Sequence, residues 1–170
     1  MVMAIAWICS MQVCAQVKSS VNSKPSTVNI QSTEYDHFFL EAMVQRQKGN
    51  HDAAFDLLRH CRDLNPEAPE VYYFLGQYYA ALKDAEQSMA CVKRAAELDP
   101  DNTTYLETLA QAYISQQDYA SAIPVIKDIY ERDKSQEEML EMLFQLYQQT
   151  EDFESAIGVL ELMEQKDGKS

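Results

Sequence analysis

The stretch Val71-Tyr72-Tyr73-Phe74-Leu75-Gly76-Gln77-Tyr78-Tyr79-Ala80, followed at helical distance by Ala95 and closed by Pro100, decides how the chain is read. The same skeleton returns 34 residues on as Tyr105-Leu106-Glu107-Thr108-Leu109-Ala110-Gln111-Ala112-Tyr113, with Ala122 in the place of Ser88. A fixed period of this length marks a repeat array, in which each unit is a supersecondary piece that buries its apolar face only against its neighbours.

Working outward from this stretch, residues 35–170 divide without remainder into four blocks of 34: 35–68, 69–102, 103–136 and 137–170. Each holds two helical patterns separated by a short turn. The sixteenth place reads Asn50, Asp84, Asp118 and Asp152, all good N-caps for a second helix, and Gln87 three residues after Asp84 predicts a capping box. Pro66 and Pro100 close the first two blocks. Small residues recur at place 8 (Ala42, Gly76, Ala110) and place 20 (Ala54, Ser88, Ala122, Ala156). Large ones recur at place 4 (Phe38, Tyr72, Leu106, Leu140) and place 24 (Leu58, Val92, Ile126, Leu160). Such matched columns are what closely stacked antiparallel helix pairs require.

These residues resemble the tetratricopeptide repeat family, whose pattern is aromatic or Leu at 4, Leu at 7, Gly or Ala at 8, Tyr at 11, Gly at 15, Ala at 20, apolar at 24, Ala at 27 and Pro at 32. The second block carries Tyr72, Leu75, Gly76, Tyr79, Val92, Ala95 and Pro100. The resemblance implies an all-α fold, a right-handed superhelical solenoid of antiparallel helix pairs with about eight helices. Three departures stand out. Glu41 and Gln45 replace Leu and Tyr in the first block, as suits a terminal repeat whose outer face meets water. Phe144 stands where a small residue belongs. Pro124 lies inside the second helix of the third block and should bend it unless that helix starts late.

Ahead of the array, residues 1–15 carry no charge and are too short to span a bilayer comfortably. They read as the apolar core of a signal peptide, with Val13 and Ala15 before a cleavage site and Gln16 as the new N-terminus. The usual basic flank is missing, so further residues upstream are expected. Lipidation at Cys14 or Cys9 is a poorer match. Residues 16–34, rich in Ser, Thr, Asn and Gln with Pro25, read as a flexible tether. The expected location is therefore exported, periplasmic or secreted, with no integral membrane segment in the mature chain.

Net charge is −13, which disfavours nucleic acid and anionic membrane as partners. No Ser/His/Asp grouping, glycine-rich phosphate loop or zinc-type spacing is present, so neither catalysis nor a cofactor or metal is expected. Glu137-Glu138 and Glu151-Asp152 sit at helix starts, where the dipole favours them. Asn102-Thr103-Thr104 has the form of a glycosylation acceptor, but an inter-repeat turn accounts for it. Cys61 and Cys91 read as small hydrophobes in packing; a disulfide between them needs an oxidising compartment and crosses different repeat phases.

The resemblance also implies where binding takes place: the first helix of each repeat lines an inner groove, with places 2, 5, 9 and 12 facing a bound peptide. Place 5 reads Phe39, Tyr73, Glu107, Glu141 and place 9 reads Met43, Gln77, Gln111, Gln145. With Phe74 and Glu138 these form the expected partner-binding set, aromatic and apolar at its N-terminal half and acidic at its C-terminal half. The three Gln amides are positioned to pair with an extended backbone. Residues 103–170 carry net −9 and 35–102 net −5, so a Lys/Arg-bearing protein or peptide with aromatic or apolar residues is the natural partner. Family members that grip a C-terminal carboxylate use Lys at place 5 and Asn at place 9; Phe39 and Met43 stand there, so that clamp is absent. The expected function is an exported, non-catalytic adaptor. The alternative is an assembly module that self-associates through Leu160, Leu162 and Met163, an edge to be covered by a second copy, another chain or a continuation.

Overall fold

The computed structural model describes residues 27–168. The leader at 1–15 and the tether up to residue 26 lie outside the described residues. The described residues fall into two units with the boundary between His37 and Phe38. Among the described residues there are eight helices: α1 (Thr27–Gln47), α2 (His51–Leu64), α3 (Pro69–Ala81), α4 (Ala85–Leu98), α5 (Thr103–Ser115), α6 (Tyr119–Arg132), α7 (Glu137–Gln149) and α8 (Phe153–Asp167). None is long and apolar enough to cross a membrane. The fold is all-α, and from α2 onward each helix packs on its neighbours in the chain. Helices α3, α5 and α7 begin 34 residues apart, and so do α2, α4, α6 and α8.

One boundary moves. Helix α1 starts at Thr27, ahead of the array start drawn at Tyr35 and inside the stretch expected to be a tether. No Pro or Gly follows Pro25 until Gly49, and extending a helix that already exists costs far less than nucleating one. A polar composition thus failed to mark the helix start.

The turns inside the repeats follow one design. The amide of each second-helix cap reaches back five residues: Asn50 to Gln45, Asp84 to Tyr79, Asp118 to Tyr113 and Asp152 to Tyr147, each at 2.9 Å. That bond is the outer half of a Schellman motif, which needs the intervening residue in the left-handed region. Gly49 fills this place with φ 81°, but Lys83, Gln117 and Glu151 hold φ 61°, 61° and 59°. Side chains there cost about 1 kcal/mol each. The triple replacement Lys83→Gly, Gln117→Gly, Glu151→Gly is expected to raise stability by about 1 kcal/mol in all, the remainder being lost to glycine's freedom in the unfolded chain. Urea unfolding checks this; an unchanged or lower midpoint rules out strain at these turns.

The caps meet the sequence reading with one correction. The carboxylates of Asp84, Asp118 and Asp152 accept from the amides of Gln87, Ser121 and Ser155 at 3.1, 3.2 and 3.1 Å. The reciprocal half of the capping box is not made, because the Asp84 amide is already spent on Tyr79. Asn50 is an N-cap by position only; its side chain donates to Gln45 Oε1. Hydrogen bonds from Ser155 hold the Asp152 carboxyl below the ordinary range. Its capping contribution is therefore complete above the unfolded-state value and is lost as pH falls through the lower folded one.

The core runs along the interfaces between helices. Leu58, Leu75, Ile126, Ile129 and Leu140 are essentially inaccessible. Gly76 brings α3 and α4 together: a Cβ there would stand 2.8 Å from Val92 Cγ2, and Ser88 Oγ donates to the Gly76 carbonyl at 2.9 Å. Cys61 and Cys91 are free, buried thiols; burial pushes Cys61 up to about 11 and raises Cys91 as well, so both stay protonated at neutral pH. Helix α6 neither starts late nor stops at Pro124. Pro124 and Ala120, whose carbonyl loses its donor, are both exposed, so the missing bond falls on the solvent side of the helix. Phe144 is half-buried and packs on the core.

Candidate functional site

Because α3, α5 and α7 repeat in strict phase, the ninth places of α3 and α5 and the fifth places of α5 and α7 fall along one groove. A cavity of about 1110 Å³ opens there, lined by Gln77, Glu107, Gln111, Glu138 and Glu141 from the expected set. Glu137 joins them, and none of the lining residues is Lys or Arg. Its floor is small or apolar: Gly76, Ala80, Ala110 and Ala112 leave the space that larger side chains would fill. Lys166 of α8 lies 3.5 Å from Glu137 and offsets one carboxylate, while Glu107, Glu138 and Glu141 are exposed.

The aromatic members of the set lie elsewhere. Phe39, Phe74, Tyr73 and Tyr105 form a ladder with ring centroids 6.1, 5.2 and 5.3 Å apart in turn. The first three are half-buried, so much of each ring is spent on its neighbours. Met43 is half-buried and Gln145 exposed, and neither lines the cavity. Three acidic residues and two of the three amides thus share one cavity, whereas the aromatic ones pack ring against ring outside its lining.

Arg46 ties the two together. Its guanidinium lies 4.5 Å from the Phe74 ring centre, and Nη2 donates to Gln77 Oε1 at 3.0 Å. The Gln77 amide oxygen is thus engaged within the chain, and its NH₂ group remains as the donor that a ligand could use. Gln111 makes no such contact with an arginine, because Ala80 occupies the place of Arg46 one repeat on.

Sequence reasoning missed a second space. A crevice of about 380 Å³ lies between the α1–α2 turn and the end of α3, lined by Arg46, His51, Asp52, Phe55, Gln77, Tyr78, Ala81 and Leu82. Tyr78 packs against His51 and Phe55, with centroids 6.0 and 5.7 Å away. Its hydroxyl is buried with no hydrogen-bond partner among the described residues, and that burial raises its pKa. The only signal in the sequence was a second tyrosine beside the expected Tyr79. Also unforeseen was a repeated cation contact: Lys93 lies over Tyr113 at 5.2 Å and Lys127 over Tyr147 at 5.4 Å, the same pair one repeat apart.

The apolar edge on α8 is also rearranged. At the three junctions inside the array, places 24 and 27 (Leu58 and Cys61, Val92 and Ala95, Ile126 and Ile129) are at most 3% exposed. On α8 the same places are Leu160, 41% exposed, and Met163, half-buried. Leu162 projects about 200° around the helix from Leu160, so the two cannot share a face. Phe153 and Ile157, 62% and 56% exposed, are the residues that extend the Leu160 stripe.

Comparison with known proteins places this architecture. The model of the tetratricopeptide repeat family matches residues 45–112, which include the whole second block. Among solved structures, one titled MamA superposes with a TM-score of 0.68 at 18% identity, covering 80% of this chain and 74% of that one. A second MamA crystal structure gives 0.65 at 16% identity, with 80% and 81% covered. A structure of Naa15/Naa10 bound to HypK-THB gives 0.66 at 18% identity, covering 81% of this chain but 21% of that one. At these identities the likeness establishes the fold. No curated protein matches the sequence.

Proposed function

We propose that this tetratricopeptide-repeat chain is a non-catalytic adaptor that receives a basic peptide or protein segment in the groove of α3, α5 and α7. The observation that carries this reading is the lining itself, four glutamates and no Lys or Arg in a cavity of about 1110 Å³, with Lys166 offsetting Glu137 alone. Carboxylates at the rim draw Lys or Arg inward, and the Gln77 and Gln111 amides offer hydrogen bonds to a main chain. Nucleic acid is repelled by the same charge. Export completes the proposal and rests on the uncharged leader at 1–15. Expression of the full chain followed by mass analysis of the mature protein tests it: cleavage before Gln16 supports export, and an intact N-terminus in a soluble cell fraction counts against it.

The α8 stripe supports a second reading, assembly. Inside the array, a following first helix covers the places that Leu160 and Met163 occupy, so the stripe has the shape and polarity of a helix-docking face. Ile157→Glu combined with Leu160→Glu is expected to abolish any self-association seen by sedimentation equilibrium while leaving the groove untouched. Wild-type protein that stays monomeric at millimolar concentration removes self-assembly as a role.

A further inference from the structure

Gln77 lines both the acidic groove and the smaller crevice at the first junction, so the two spaces meet at one side chain. We infer that they form a single bipartite track: a segment that sends Lys or Arg to Glu107, Glu138 and Glu141 also seats one large apolar side chain against Phe55, Tyr78 and Leu82. This inference rests on the groove reading above and adds the second half of the ligand.

Three observations lead to it. First, the crevice has an apolar lip that its counterparts lack. Place 14 of the four repeats reads Lys48, Leu82, Gln116 and Thr150, and Leu82 is 64% exposed. One junction further on, Gln116 instead closes down on the array, its amide donating to the Ala85 carbonyl at 3.4 Å. A Leu held open to water beside a space of about 380 Å³ suits an incoming hydrocarbon side chain, since the space is too small for a helix and large enough for Leu, Met or Phe. Second, the buried Tyr78 hydroxyl has no acceptor among the described residues. A main-chain carbonyl of the seated segment supplies one. Third, Arg46 fixes polarity. It is held by Gln77 and by the Phe74 ring at the boundary between the two spaces, so the crevice pairs one cation with the single carboxylate of Asp52, and an incoming Lys or Arg is drawn to the glutamates of the groove instead.

Peptides selected from a random dodecamer display library on the purified chain test this, with affinities measured by fluorescence anisotropy. The clones kept are those whose binding is lost with Glu107→Lys/Glu141→Lys. They are expected to carry a large apolar residue at a constant separation from Lys or Arg, and changing that residue to Ser is expected to weaken binding about tenfold or more. Leu82→Asp, at an exposed turn, is expected to do the same without lowering the melting temperature. Tyr78→Phe gives opposite signs: it removes a buried orphan hydroxyl and raises the melting temperature, yet weakens binding several-fold. Groove-dependent peptides that lack an apolar residue and bind Leu82→Asp and Tyr78→Phe at wild-type strength overturn the bipartite track and leave the groove standing. If no clone depends on Glu107 and Glu141, the groove reading itself falls, and the inference with it.

Discussion

Gly76→Leu is expected to destabilise the chain by about 3 kcal/mol, a large share of the 5–15 kcal/mol that holds a typical domain together. The reason is local and geometric. A single added carbon at Gly76 would already lie 2.8 Å from Val92 Cγ2 and 3.5 Å from the Ser88 carbonyl. Val92 is β-branched and 3% exposed, so it has neither rotamer freedom nor room to retreat. Leucine adds three further carbons along the same line and forces α3 away from α4, which also breaks the 2.9 Å bond from Ser88 to the Gly76 carbonyl. Gly76→Ala sets a milder contest, since better helix propensity offsets the contact by about 1 kcal/mol. Val92→Ala in the Gly76→Leu background is expected to return part of the loss, a coupling of about 1 kcal/mol that the separate changes do not show. Urea unfolding of the four variants reads all of this. A Gly76→Leu midpoint equal to wild type would mean that this close approach does not set the spacing of the pair.

The expected size of that effect reflects what the sequence made legible. Gly76, Ser88 and Val92 could be assigned to one interface from phase alone, because a period of 34 fixes which places face each other. The caps at Asp84, Asp118 and Asp152 were readable for the same reason. What the pattern hid were facts that depend on competition for a partner. The Asp84 amide binds Tyr79, so half of the capping box is missing. Arg46 takes the Gln77 oxygen, so one of three apparently equivalent amides differs from the others. Phe39, Tyr73 and Phe74 pack against one another, so part of each ring face is taken up within the chain. The start of α1 was obscured because polar composition says nothing against helix once a helix is nucleated. The crevice at Tyr78 and Leu82 breaks the period, and a reading built on the period passes over it.

The acidic groove makes the second large prediction. Glu107→Lys combined with Glu141→Lys is expected to weaken binding of a Lys/Arg-bearing segment about 100-fold at low salt, which corresponds to about 2.7 kcal/mol. Both side chains are exposed, so the double variant keeps the fold and the loss belongs to binding. Charge reversal at the two places turns attraction into repulsion along α5 and α7, whereas Gln111 and the small residues of the floor remain as they are. Added salt separates charge from shape. Raising ionic strength from about 0.01 to 1 M shortens the screening length from about 30 to 3 Å, so the wild type should lose affinity steeply and the variant hardly at all. Circular dichroism confirms the fold, and anisotropy titrations at three salt concentrations supply the measurement. If the variant binds as tightly as wild type at low salt, the carboxylates only keep this surface soluble and the ligand is held by something other than charge.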